Sequence, residues 1–224
     1  MTEMVVMIAV LLGALFLTER VWPKAVTRLE EGVLAVLISA LTLVSFTQVV
    51  MRYGFGTGWG GALEFTRILF AWLILFGMSY AIKINAHLGV DVVLQALPAR
   101  PSRILAATAA VLCVLYAVIL LNANWMQLLG IDAKGGAIDY WAKMYKVGIG
   151  LDDLRYPEWA QETFGLQERV QRWIAYLVLP LGLALFAYRS LQAAIDIVLG
   201  RRQFIIASHE AEELVAENRD AVKD

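Results

Sequence analysis

Apolar residues gather into long runs, and charged residues into short clusters between them. Four runs, at 33–51, 68–82, 104–129 and 173–188, approach or reach the helical length needed to cross a hydrocarbon core. That length is about 20 residues, at ~1.5 Å rise per residue across roughly 30 Å. The second and fourth are short if counted only between charges. Flanking Arg and Lys side chains can snorkel to the headgroups, which extends the working limits to 63–82 and 171–194. Pro180, near the middle of the fourth run, predicts a kink.

The segment 4–17 is also apolar but ends abruptly at Thr18-Glu19-Arg20. It lacks the basic leader and small-residue cleavage site of a secretory signal, and its only early charge is Glu3. Extended to Trp22 it is long enough for a fifth span, whereas a one-sided helix would lie in the interface. Its polar residues define no clean face, so a membrane-inserted helix is expected, with a full crossing left open.

Composition agrees with a membrane solvent: 60% of residues are hydrophobic, 17% are charged, and the mean hydropathy is +0.65. The predicted fold class is therefore all-α integral membrane. It has four transmembrane helices, an N-terminal membrane-associated helix, and interfacial helices in a large loop. A net charge of −1 offers no basic footprint for nucleic acid. Cys113 is the sole cysteine and falls mid-span, which excludes a disulfide framework or a cysteine-based metal site. His87 and His209 lie outside the spans and provide no intramembrane haem ligands. No cofactor, metal or catalytic residue is expected.

Charge placement sets the orientation. Arg20, Lys24 and Arg28 precede the first span; Lys83, Arg100 and Arg103 lie between the second and third; Arg189, Arg201 and Arg202 follow the fourth. With four spans after Arg28, all three clusters fall on one side, which the positive-inside rule makes cytoplasmic. The opposite loops carry Arg52 and Arg67, then Lys134, Lys143, Lys146, Arg155, Arg169 and Arg172. The expected location is a bacterial inner membrane, multi-pass, with the last terminus cytoplasmic.

This layout divides the chain into 1–28 (hydrophobic helix and basic linker), 29–129 (three-span core), 130–171 (periplasmic loop), 172–200 (last span) and 201–224 (Glu-rich cytoplasmic tail). In the loop, Ile138, Trp141, Ala142, Tyr145 and Ile149 recur at helical spacing, predicting a short amphipathic helix. About half of the Trp and Tyr falls between Trp125 and Tyr176, as in an interfacial aromatic belt. Such a surface either covers the membrane or docks a periplasmic partner. The docking residues would be Trp141, Lys143, Tyr145 and Lys146.

Polar residues inside the spans are mostly Ser, Thr, Asn and Gln, with no carboxylate or base at mid-bilayer. Ion-coupled transporters and proton relays use such groups, often beside broken helices. The residues therefore describe a helper more than a self-sufficient transporter, channel or enzyme.

Between Gln48 and Pro98 the pattern becomes specific. Gln48-Val49 and Arg52-Tyr53 are followed by Trp59, Glu64, Arg67, Phe70, Trp72, Gly77, Ala81, Lys83, His87, Asp91 and Leu97-Pro98. This order resembles the small membrane subunit (DctQ-type) of tripartite ATP-independent periplasmic (TRAP) transporters. The family runs Q-V-x-x-R-Y, W-x-E-E-x-x-R, F-x-W, glycine, A-x-R/K, histidine, then aspartate before L-P. The resemblance covers about 29–129 and thins beyond. Its doubled carboxylate is reduced here to Glu64, with Leu63 in the other place, and Trp59 lies about two residues further upstream than the pattern.

The resemblance implies a scaffold bound to a large elevator-type permease subunit, helping a periplasmic substrate-binding protein dock for sodium-coupled organic-acid uptake. Long versions occur among C4-dicarboxylate systems. Partner-interface candidates on this reading are Gln48, Arg52, Tyr53, Trp59, Glu64, Arg67, Trp72, Gly77, His87 and Asp91. Each also has a local reading. Glu64 and Arg67, three apart, can form a helix-surface ion pair, as can His87 and Asp91, four apart. Arg52 and Tyr53 can anchor to headgroups, and Gly77 can permit close helix packing. A stand-alone transporter or channel, or a redox-complex subunit, are the alternatives.

Overall fold

A computed structural model describes residues 2–84 and 97–200. Helix α1 (Thr2–Val21) is separated only by Trp22 from the long α2 (Pro23–Gly54). Pro23 opens α2, where its fixed φ suits the first turn and its missing N–H leaves no bond unmade. Then follow α3 (Ala62–Lys83), α4 (Ala99–Leu121), a 3₁₀ helix (Asn124–Leu129) and α5 (Ala137–Val147). The chain continues through β1 (Gly150–Arg155), α6 (Glu158–Phe164), β2 (Arg169–Gln171), α7 (Arg172–Tyr176) and α8 (Val178–Val198). Four stretches are long and apolar enough to cross a membrane: α2, α3, α4 from Arg100, and α7 with α8 as Arg172–Val198. These correspond to the four runs read from the sequence.

Helix α8 is the hub. Eleven of its residues are buried, among them Leu183, Ala184, Phe186, Ala193 and Ile197, whereas α3 buries Ala62, Ser79 and Ile82 and α2 only Val26. Against α4 it packs Ala194 and Ile197 onto Ala106 and Ala110, while Phe186 and Ala193 meet Ala117 and Ile82. Small residues on facing stripes let the backbones approach, which is how helices associate where no hydrophobic effect separates protein from lipid. Against α3 the approach is tighter still: a Cβ on Gly182 would stand 2.7 Å from Leu75 Cβ.

Helix α1 runs beside α8 and in the same direction. Ile8 packs with Ile138 of α5 and Ala184 of α8. Eleven residues on, roughly 16 Å along the helix, Glu19 meets Arg189 of α8.

Two sequence expectations need correction. The third span does not stay helical to residue 129. Asn122 turns extended (φ −160°, ψ 111°) and its Oδ1 accepts the Asn124 N–H at 2.9 Å, a side-chain-built turn that competes with the helix. Asn124 then ties the following loop, accepting from Gly135 N–H at 2.9 Å and donating to Asp139 at 2.8 Å. As expected from Pro180, the fourth span is interrupted just before it, at Leu177 between α7 and α8, where the dihedrals stay helical (φ −57°, ψ −30°). Proline crowds the carbonyl four positions back, at Tyr176, so the break lies N-terminal to it. In the loop, α5 stops at Val147 because Gly148 adopts φ +65°, which places Ile149 outside the predicted helix. The loop also contains an antiparallel pair, β1 with β2, registered Gly150 to Gln171 and Arg155 to Arg169, that the sequence pattern did not suggest.

Candidate partner interface

Two polar residues of the motif at the α2–α3 connection, Gln48 and Glu64, hold the chain's own backbone. Gln48 clamps the loop that joins the two helices: its Oε1 accepts the Trp59 N–H at 3.2 Å and its Nε2 donates to the Trp59 carbonyl at 3.4 Å. The Trp59 indole lies 5.6 Å from the Phe65 ring and stays 45% exposed.

Glu64 reaches across to the large loop. One carboxylate oxygen accepts the N–H groups of Asp153 and Leu154, each at 2.8 Å, and the other accepts that of Asp152 at 3.3 Å. This three-point latch fastens β1 to the first turn of α3. Gly61 makes the approach possible, because a Cβ there would come within 3.0 Å of the Asp153 carbonyl. Among the described residues Glu64 forms no ion pair with Arg67, which is exposed.

Trp72 is also internal, donating its indole N–H to the Ala175 carbonyl at 3.2 Å where α7 gives way to α8. Of the predicted docking residues, Trp141 and Tyr145 serve chiefly to hold α5 against α7. Their rings stack 5.4 Å apart, both meet Trp173 edge-on, and Trp141 Nε1 donates to the Trp173 carbonyl at 3.1 Å. Lys143 and Lys146 project into the open. Arg52 and Tyr53 close α2, and Tyr53 is 81% exposed. His87 and Asp91 lie outside the described residues.

Gly77 lines a shallow apolar groove between α2 and α3, with Leu34, Ile38, Leu73 and Ile74. A Cβ there would sit 4.0 Å from Leu34, an ordinary contact, so packing within the chain does not require glycine.

A charged cluster escaped the sequence reading. Arg189, 2% exposed, pairs with Glu19 at 2.7 Å and Glu30 at 2.5 Å; Lys83 pairs with the same two acids at 3.4 and 2.5 Å. Gln192 donates to Tyr188 and accepts from Arg189. Two cations and two anions from α1, α2, α3 and α8 thus neutralise one another at one end of the bundle. Arg189 is therefore a buried structural ion rather than a free cation trailing the last span. The available signal was its position inside the limits 171–194, where an ionised side chain needs a partner.

The family model for tripartite ATP-independent periplasmic transporters, DctQ component, matches residues 41–200. The chain belongs to this family. Among its relatives is a C4-dicarboxylate TRAP transporter small permease protein from Vibrio cholerae, 34% identical over 194 residues, covering 83% of this chain and 78% of that one. A protein of the same description from Pseudomonas aeruginosa is 30% identical over 220 residues, covering 86% and 91%. Another, from Rhodobacter capsulatus, is 27% identical over 201 residues, covering 76% and 77%. The likeness of this TRAP small subunit to its family thus continues through the large loop and the last helix, well past the limit near residue 129 drawn from motifs alone. In this chain the loop is joined to the motif segment through Glu64.

Proposed function

We propose that the chain is the scaffold of a TRAP transporter for C4-dicarboxylates. It would brace a large elevator-type permease subunit in the inner membrane and help a periplasmic binding protein dock during sodium-coupled uptake. The relatives' descriptions support the substrate class. The observation that carries the scaffold role is α2. It is 32 residues long and buries only Val26, and with α3 it forms a groove whose glycine answers to nothing in this chain. A surface of that kind suits a second membrane protein laid along it.

On this reading the sequence segments act as two parts. The 29–129 core and the last helix form the membrane brace, and the 130–171 loop forms a periplasmic platform held by Glu64. Arg52, Tyr53 and Gly77 face the large subunit, while Lys143 and Lys146 face the binding protein. The side bearing Arg28, Lys83 and Arg103 is cytoplasmic, as is the C-terminal tail. Helix α1, lying along α8 from the loop side to the ion cluster, is a fifth crossing that leaves the N-terminus periplasmic. Deleting the gene should abolish dicarboxylate uptake while the isolated binding protein keeps its affinity; undiminished uptake in the deletion strain would sink the proposal.

A further inference from the structure

At the start of α3 a cavity of about 370 Å³ opens between α3, β1 and the α7–α8 junction. Its mouth carries Glu64, Arg67, Asp152 and Arg172, and its floor is made by Ile68, Ala71, Val178 and Leu179. Both acids of the mouth are engaged, whereas one of its two cations is not. Both Glu64 oxygens are turned to backbone N–H groups of β1. Asp152 is held by Arg172 at 3.2 and 3.3 Å. Among the described residues no acid engages Arg67. One guanidinium, with five donors in a planar fork suited to phosphate, is thus left facing a pocket whose nearest acids are already occupied.

The floor tells what kind of anion fits. Ala71 lies one turn from Arg67, roughly 6 Å further into the membrane, so polar chemistry ends within one turn. Ile68 on the same helix and Leu179 across from it on α8 complete this apolar floor. A small hydrophilic anion would leave this floor wet, whereas a phosphate attached to an acyl chain would satisfy both halves.

We infer that this cavity is a binding site for an anionic phospholipid, its phosphate on Arg67 and its chain over Ile68, Ala71 and Leu179. The inference rests on the membrane placement given above, and lipid retention reads it independently of transport.

The test uses the purified full chain in detergent, titrated with phosphatidylglycerol or phosphatidylethanolamine and read by native mass spectrometry. Phosphatidylglycerol should be retained preferentially. Arg67→Gln should weaken its retention roughly tenfold, as expected for losing a charge-assisted contact, and Arg67→Lys should restore part of it. Because Arg67 is exposed, neither variant should unfold the chain, and an unchanged melting temperature checks this. Equal retention of the two lipids, or unchanged phosphatidylglycerol retention in Arg67→Gln, overturns the site. Displacement of the lipid by millimolar inorganic phosphate overturns the lipid assignment in favour of a free anion.

Discussion

Removing the Glu64 carboxylate should release β1 from the bundle while leaving the spans in place. In Glu64→Ala the N–H groups of Asp152, Asp153 and Leu154 lose their common acceptor. Hydrogen bonds to a charged group are worth about 1.5–3 kcal/mol each. Water can replace the carboxylate at Asp152 and Asp153, which are exposed, but less readily at Leu154, which is 8% exposed. The uncompensated loss is therefore that of about one bond, ~1.5–3 kcal/mol. Since ~1.4 kcal/mol is tenfold in an equilibrium constant, amide exchange at 152–154 should quicken between roughly ten- and a hundredfold. Glu64→Gln keeps one acceptor oxygen and should fall between wild type and alanine. Glu64→Asp, one methylene too short, should resemble alanine. Hydrogen–deuterium exchange with peptide-level mass spectrometry measures this directly, with peptides from α4 as the internal control. Unaltered exchange at 152–154 in Glu64→Ala would refute the latch.

The ion cluster predicts a larger and more global effect. Arg189→Ala leaves Lys83 as the one cation shared by Glu19 and Glu30, an uncompensated negative charge in a largely buried site, and should cost about 3–5 kcal/mol, seen as a lowered melting temperature in detergent. Gly182→Ala places a Cβ against Leu75 and should destabilise by about 1–3 kcal/mol, with Leu75→Ala in the same chain recovering part of the loss. If α1 crosses the membrane, an N-terminal epitope tag is reached by antibody in spheroplasts; a tag reached only after permeabilisation contradicts that topology. Charge reversal at Lys143 and Lys146 should slow uptake, and the defect should shrink as salt rises, because rim charges act chiefly on encounter.

The spans were legible because apolar length is written directly in the chain, and lipid selects on little else. Their ends were not, since Asn122 reads as a tolerable polar residue in a hydrophobic run until its side chain is seen capping Asn124. The strand β1 was invisible for a different reason. Leu151-Asp152-Asp153-Leu154 does not alternate, and the segment is extended because Glu64 and β2 hold it so, a tertiary override of local preference. The same override misdirects motif arithmetic: Glu64 and Arg67 have the spacing of an ion pair, yet the carboxylate is drawn to a backbone some 90 residues away. Glycine shows the limit most plainly. Gly77 stood out in the motif and proves spacious, whereas Gly182 carried no signal and sits where a Cβ would press on Leu75 of α3. Sequence marks which positions carry an unusual residue, but the neighbour that gives the residue its purpose comes from the fold.

The central claim is that this chain supports a transport path it does not contain. Proteoliposomes holding the large permease subunit, with a sodium gradient and binding protein outside, should accumulate labelled dicarboxylate only when this chain is co-reconstituted. Liposomes holding this chain alone should accumulate none. Uptake by this chain alone, or equal uptake by the large subunit without it, would contradict the account.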